Sequence, residues 1–590
     1  MSSSQSRPAR PRESWRGRST RFLHRWHARR AAGAVPAQGF VSSPEPRTVG
    51  AYARGRQLMA GNLMFAGHLL EAPGAMIWDI PAPSAAFTEE IQGFAWLDDL
   101  AAVGDLAARE LAQRWLWGWI ARSERGRGPG WEPDLAGRRI IRWIHHAIFL
   151  LAGQDKPAAD RFFRALSHQA AFLERRAAAA LPGLPQFEAM TGLLYAGIAL
   201  EGKAALVGPA LAALDAECES AIDAEGGLST RNPEELLAVF TLLTWATLAL
   251  RETERAVPEG LTGAVRRIAP TLRALRHANG DLARFHGGGK GADGLLDLAL
   301  AEAGVKAPLE GLAMGFARMS AGRTSLIIDA APPPVGASSF NAHASTLAFE
   351  LTSGRRPLIV NCGSGASFGE EWRRAGRATP SHSTLALEGY SSARLGPENA
   401  ERGLRREQLV DAPGDVPVEI SQAPDGQRFE GGHDGYVASH GLTHARILEL
   451  TFDGRGLVGE DLLMALDAAA KRRFDARMEA AGLQGVAFQL RFHLHPEVDA
   501  ALDLGGAAVS MALRSGEIWV FRHEGQGTLA LEPSVYLERG RLRPRATKQV
   551  VLSHRAMGYA TRLRWSLAKA QETAIAVRDL ARDEPHFDET

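Results

Sequence analysis

The hydrophobic period of this chain changes once, and that change limits the fold to a helical unit followed by a β unit. A helical period starts at Trp96 and lasts about two hundred residues; from Thr324 onward short alternating runs replace it. Over 96–120, Leu97, Leu100, Val103, Leu106, Leu111, Trp115 and Trp119 fall at helical spacing, with Asp98, Asp99 and Asp105 largely elsewhere. Comparable helical units are expected over 138–151, 158–181, 187–207, 209–224, 233–254 and 261–277, with Gly or Pro at most junctions. About seven amphipathic helices cannot hide their apolar faces in one four-helix core, so helix pairs in layers around a cleft are the economical arrangement. A solenoid is the alternative, and no fixed repeat period supports it.

At 590 residues the chain suits two large domains. The expected division is a basic, disordered tail over 1–48, a helical domain over 49–300 and a β domain over 301–590. A net charge of +1 gives no indication of bulk nucleic-acid binding. Cys218 and Cys362 are the only cysteines, so no disulfide framework exists. Arginine is crowded into the first thirty residues, which read as a solvated extension. The sharper reading is a tether to an anionic surface with Trp15, Phe22 and Trp26 as anchors. No apolar run of signal-peptide length follows, and no segment is expected to span a membrane. The glycine-rich run 285–291 reads as a flexible linker, and 461–481 as a helical insertion among strands.

The span 341–384 concentrates the chemistry. An alternating run, 345–351, and a short apolar one, 357–360, read as an antiparallel hairpin that places Asn341 and His343 beside Asn361 and Cys362; His382 leads into the next strand. His343, Asn361 and His382 are therefore expected to converge. The block resembles the C-terminal domain of the heparinase II/III-like polysaccharide lyases. Asn341-Ala-His343-Ala-Ser345 stands where that family has a His-x-His-Ala-Asp-like start. Asn361-Cys362-Gly363 stands for Asp-Pro-Gly, and Arg377-Ala-Thr379-Pro-Ser-His382-Ser383-Thr384 for Arg-(Ser)-Thr-x-x-His-Asn-Thr. The resemblance implies a multidomain α+β fold, an N-terminal incomplete α/α toroid followed by a C-terminal antiparallel β-sandwich.

It also implies β-elimination at a bond to a uronic acid, which needs a group to neutralise the carboxylate, a base for the carbon acid and an acid for the leaving oxygen. The family is expected to supply an Asn-His pair at the start of an inner helix, a Tyr after a Glu-Arg-Ser-Pro-like segment, and a His from the sandwich. Here Leu184 and Pro185 occupy the Asn and His places, no Tyr follows Arg231-Asn232-Pro233, and Asn341 replaces the first His of the pair. The substitutes are His382, Tyr195 and Asn341 for catalysis, with Arg231, Asn232, Gln186 and Arg377 for substrate binding, the first two at a helix N-terminus. Tyr195, between Leu194 and Ala196, also reads as a core aromatic, and Asn232 before Pro233 as an ordinary helix cap.

His343, Asn361 and His382 are candidate ligands for a weakly bound divalent ion such as zinc, because Asn361 brings no negative charge. A hydrogen-bonded histidine pair is the alternative. Arg491, His493 and His495 share one strand face, and His433, Asp434, His440 and His444 read as local loop chemistry.

Two functions follow from the resemblance. The first is a lyase acting on an acidic, uronate-containing glycan in the cleft between the domains. The second is a catalytically degenerate acidic-polysaccharide-binding or cell-envelope protein. The family implies the envelope or periplasm, while the lack of a recognisable signal peptide leaves the cytoplasm open.

Overall fold

The computed structural model describes residues 14–570 apart from 402, 403 and 526. Ser14 accepts a hydrogen bond from the Gly17 backbone N–H at 3.1 Å and opens a helix, Trp15–Ala31. This corrects the expectation of disorder for the whole of 1–48; residues 1–13 lie outside the described ones. The helix is held because His24, Ala28 and Ala31 are buried against the helix Lys156–Arg176, whose His168 donates from Nε2 to the Ala28 carbonyl at 2.6 Å. Gly126 lets the chain pass directly against the Ala28–Arg29 backbone, where a Cβ has no room.

Beyond a short helix, Tyr52–Met59, and a small hairpin, Asn62–Phe65 with His68–Glu71, the toroid is built from helix pairs. The expected unit over 96–120 is two helices, Ala95–Val103 and Leu106–Ser123, separated at Gly104 with φ 71°. Asp98 and Asp99 face inward rather than to water. Asp98 accepts from Arg142 at 2.7 Å and contacts His146 at 2.9 Å, and Asp99 accepts from the Ala51 N–H at 2.8 Å. Polar partners inside the first domain thus override the amphipathic pattern there.

The helix Leu184–Ala199 is buried at every position from Phe187 to Ala199, as an inner helix of a layered toroid must be. It crosses Pro133–His145 at Gly192 and Gly137, whose backbones touch. The second inner helix, Pro233–Glu252, starts with Asn232 as cap and Pro233 in its first turn. Contrary to the expectation that no segment is long and apolar enough to span a membrane, this helix meets that test by length and composition, and 72% of its most apolar window is buried in the protein.

The second domain stacks two eight-stranded sheets. One contains Phe316–Ala321, Thr324–Asp329, Phe349–Ser353, Arg356–Val360, Val486–Leu494 and Arg545–Ala556; the other contains Gly426–Tyr436, Leu442–Thr451, Gly456–Met464 and Ala560–Lys569. Residues alternate between buried and half-buried along Leu442–Thr451, the pattern of a strand with one face on the core. The insertion expected over 461–481 is shorter, a helix Ala468–Ala480, because Asp461 still belongs to a strand. The core of the helical domain continues into Phe316, Ile327 and Ala348 of the sandwich. Residues 285–291 are no free linker either: Phe285 and His286 are buried in this seam.

Candidate functional site

The seam is organised by Arg231, which sits just before its helix with φ 49°, a conformation uncommon for a non-glycine residue. Its Nε donates to Met314 O at 3.0 Å, one terminal nitrogen to Ala331 O and Pro332 O at 3.1 and 2.9 Å, and the other to Gly315 O and Asp329 Oδ1 at 2.8 and 2.6 Å. All five guanidinium N–H groups are thereby used, and the guanidinium also lies 4.6 Å from the Phe316 ring centroid. Arg231 therefore holds the domains together and has no donor left for a substrate carboxylate, which corrects its expected role. Asn232 caps its helix, its Oδ1 accepting from the Glu234 and Glu235 N–H groups at 3.0 and 3.2 Å.

Asp329, fully buried at the end of its strand, also accepts from Ser345 Oγ at 2.6 Å, and His286 Nε2 lies 3.4 Å from its second oxygen. Burial pushes its pKa up, but Arg231, His286 and Ser345 outweigh that and hold the carboxyl below the usual range. His286 Nδ1 accepts the His343 backbone N–H at 3.2 Å. Neither Asp329 nor His286 was singled out from sequence, although an acid closing an apolar strand was a visible signal.

The structure brings His343 and His382 together. Their rings are linked Nδ1 to Nε2 at 3.0 Å, and His382 Nδ1 lies 2.9 Å from the Ala378 carbonyl. The carbonyl requires N–H on His382 Nδ1, so His382 Nε2 accepts and His343 Nδ1 donates. Burial pushes His382 down to about 4 and His343 well below its ordinary value. This is a neutral pair inside the seam, not a pair at the rim of a cleft. The expected hairpin strand begins later, at Phe349, because 345–348 is consumed by a turn in which Ala348 N donates to Ser345 O at 2.8 Å.

Asn361 lies next to this pair but turns elsewhere. Its Oδ1 accepts from the Ser383 N–H at 3.0 Å and its Nδ2 donates to Glu350 at 3.4 Å, while Glu350 also binds His277 at 3.0 Å. Zinc or another divalent ion does not fit these residues: the two rings satisfy one another, the amide is engaged, and no carboxylate completes the set. Among the described residues no group of three His, Cys, Asp or Glu side chains is arranged to hold a metal.

The other candidates are dispersed. Tyr195 is buried in the toroid, its hydroxyl donating to Trp245 O at 3.3 Å, and burial raises its pKa. At 1% exposure it faces no open surface, which corrects its expected catalytic role. Arg377 is buried and donates to Ala342 O and Ser339 O at 2.8 and 2.9 Å. Asn341 is exposed and Gln186 half-buried. Two residues beyond Gln186, Glu188 is pushed up to about 6 by burial, against the pull of Arg138 at 2.8 Å.

Two further clusters went unread as units. His433 and His444 are linked at 3.2 Å, and Asp461 receives His444, Arg446 and Trp565 at 2.8 to 2.9 Å. These residues come from four strands, so they are core polar groups and not loop chemistry. His493 contacts Ser534 at 2.8 Å and Pro380 O at 2.9 Å, away from His495, whose ring packs on Tyr536.

Comparison with known proteins follows the same division. Residues 304–566 match the family described as Heparinase II/III-like, C-terminal. Over 588 residues the chain is 31% identical to FtsZ-localized protein C of Caulobacter vibrioides (strain NA1000 / CB15N), covering 92% of this chain and 96% of that protein. A crystal structure of heparinase III superposes with a TM-score of 0.64 at 12% identity, over 94% of this chain and 89% of the other. A mutant of the heparan sulfate lyase HepC from Pedobacter heparinus gives 0.56 at 13% identity, over 94% and 88%. These structural likenesses concern the fold, which is a toroid followed by a β-sandwich. With a relative matched along nearly its whole length and the C-terminal domain recognised in its own right, the chain belongs to the heparinase II/III-like family.

Proposed function

We propose that this chain binds an acidic, uronate-containing polymer without cleaving it and helps to organise the cell envelope. One observation carries the reading: the groups that would move protons in an elimination are absent from the cleft or engaged inside the protein. Leu184 and Pro185 stand at the start of the inner helix. Tyr195 donates inside the toroid, and both ring nitrogens of His382 are occupied by protein partners. An acid or base must come within about 3 Å of the proton it handles. The full-length relative is named for localisation with FtsZ and not for a glycan, which supports placing this chain with FtsZ as well.

The test is ultraviolet absorbance of an unsaturated uronate over a panel of uronate polymers, run beside retention on an acidic-glycan column. Retention without product is expected. Release of an unsaturated uronate would restore the lyase reading, β-elimination on a uronate glycan.

A second reading concerns the N-terminal helix, favoured by its outward face. Trp15, Phe22, Leu23 and Trp26 are exposed there among Arg18, Arg25 and Arg29, and the helix contains no acidic residue. Such a face suits an anionic surface.

A further inference from the structure

The second sheet of the sandwich turns one face to the core and the other outward. Five of its strands, Gly426–Tyr436, Leu442–Thr451, Gly456–Met464, Ala560–Lys569 and Ile518–Glu524, lie side by side in that order. Alternate residues of a strand point to opposite faces. Phe429, Leu448, Leu463, Trp565 and Phe521 point into the core, so Ile447, Val458, Leu462 and Met464 point out. Val458 is 40% exposed, the other three are half-buried, and none of these outward residues joins a hydrophobic core of the described residues. The strand register sets charges on either side of this apolar stripe. Glu430 lies opposite Ile447 and Glu449 opposite Val458, both paired with Arg428. On the other side Arg562 lies opposite Leu462, Arg564 opposite Glu460, and Arg522 one strand further on. Glu460 sits 3.8 Å from Arg562 and 3.1 Å from Arg564, and Glu524 3.6 Å from Arg564. Arginines and glutamates balance on this face, so neither a polyanion nor a polycation is favoured as its partner.

We propose that two copies of this chain pair through this face, stripe on stripe. Acid on one side of the stripe and base on the other make the face complementary to itself. A twofold axis through the stripe brings Glu430 and Glu449 of each copy toward Arg562 and Arg564 of the other, so the same patch serves both partners. Five strands about 4.8 Å apart and about 30 Å long present roughly 700 Å² per copy, or about 1,400 Å² in total, within the roughly 1,200–2,000 Å² of stable interfaces. Sheets stacked face to face pack about 10 Å apart, a distance at which outward apolar side chains interdigitate.

Sedimentation equilibrium of the full chain tests this, with a concentration-dependent dimer as the expected result. Leu462→Asp, which places a charge in the stripe, should raise the dimer dissociation constant about tenfold or more. Leu483→Asp, at a more exposed leucine outside these strands, should leave it unchanged. A charge exchange separates pairing from misfolding. One variant carries Arg562→Glu with Arg564→Glu, the other Glu430→Arg with Glu449→Arg; each alone should be monomeric, and an equal mixture should dimerise, because each flank then meets its opposite. A wild-type chain that stays monomeric at every concentration reached overturns the proposal. So do dimers that survive Leu462→Asp and both charge variants, which would place the contact elsewhere, and so does a mixture that remains monomeric.

Discussion

Arg231 of the toroid and Asp329 of the sandwich meet at 2.6 Å, both buried, so a buried ion pair between the domains runs through the residue expected to bind substrate. Removing the guanidinium leaves a buried carboxylate and four carbonyls without their partner. Arg231→Ala is expected to cost about 3–5 kcal/mol in urea unfolding. Arg231→Lys should recover only a fraction, since one ammonium cannot reach five spread acceptors. An unchanged unfolding midpoint in the alanine variant would remove Arg231 as the clasp of the seam.

Stability should fall on mild acidification. Burial lowers His145 and His495 to about 3 and His382 to about 4, whereas in the unfolded chain an imidazole titrates near about 6.5. Below that value the unfolded state binds more protons than the folded one, so the stability present above pH about 6.5 is lost progressively as the pH drops toward the folded values. Asp329, held below its ordinary value, adds a further loss only once the pH falls below about 3.9. Melting temperatures that stay level from pH 7 to 4.5 would contradict the neutral buried histidines.

The crossing of Leu184–Ala199 with Pro133–His145 leaves no space for a methyl group. Gly192→Ala drives a Cβ into the Gly137 backbone and is expected to destabilise by about 1–3 kcal/mol in thermal unfolding. Gly208→Ala meets open space within a helix and should be neutral or stabilising by up to about 1 kcal/mol. Equal effects at the two sites would mean that the helices are not packed this closely.

If the outer face of the N-terminal helix meets an anionic surface, changing Trp15, Phe22 and Trp26 together to Ser should abolish co-sedimentation with anionic vesicles. The melting temperature should stay within a degree or two, because exposed side chains contribute little to stability. Equal sedimentation of the wild-type chain with neutral and anionic vesicles would argue against the electrostatic part of this reading.

Much of the architecture was legible in sequence because period and punctuation are local properties. Asn232 before Pro233 marked its helix start correctly, and the alternation along 442–451 marked a strand. The proximity of His343 and His382 was also readable, since strand order and turn length confine that block. Local pattern failed where long-range polar partners decided the outcome. Asp98 and Asp99 turned inward to Arg142 and to the Ala51 N–H, and the arginine-rich N-terminus became a docked helix through Ala28, His24 and His168.

The sequence by itself determined the two-domain order, the family and the loss of the expected Asn-His pair, because these are written in residue type and spacing. Only the tertiary structure decided that Arg231, Tyr195 and His382 are satisfied inside the protein and that Arg377 is buried on backbone carbonyls. A side chain's freedom to act depends on which acceptors surround it, and Arg231 and Asp329, 98 residues apart in the chain, become partners only once both domains have folded.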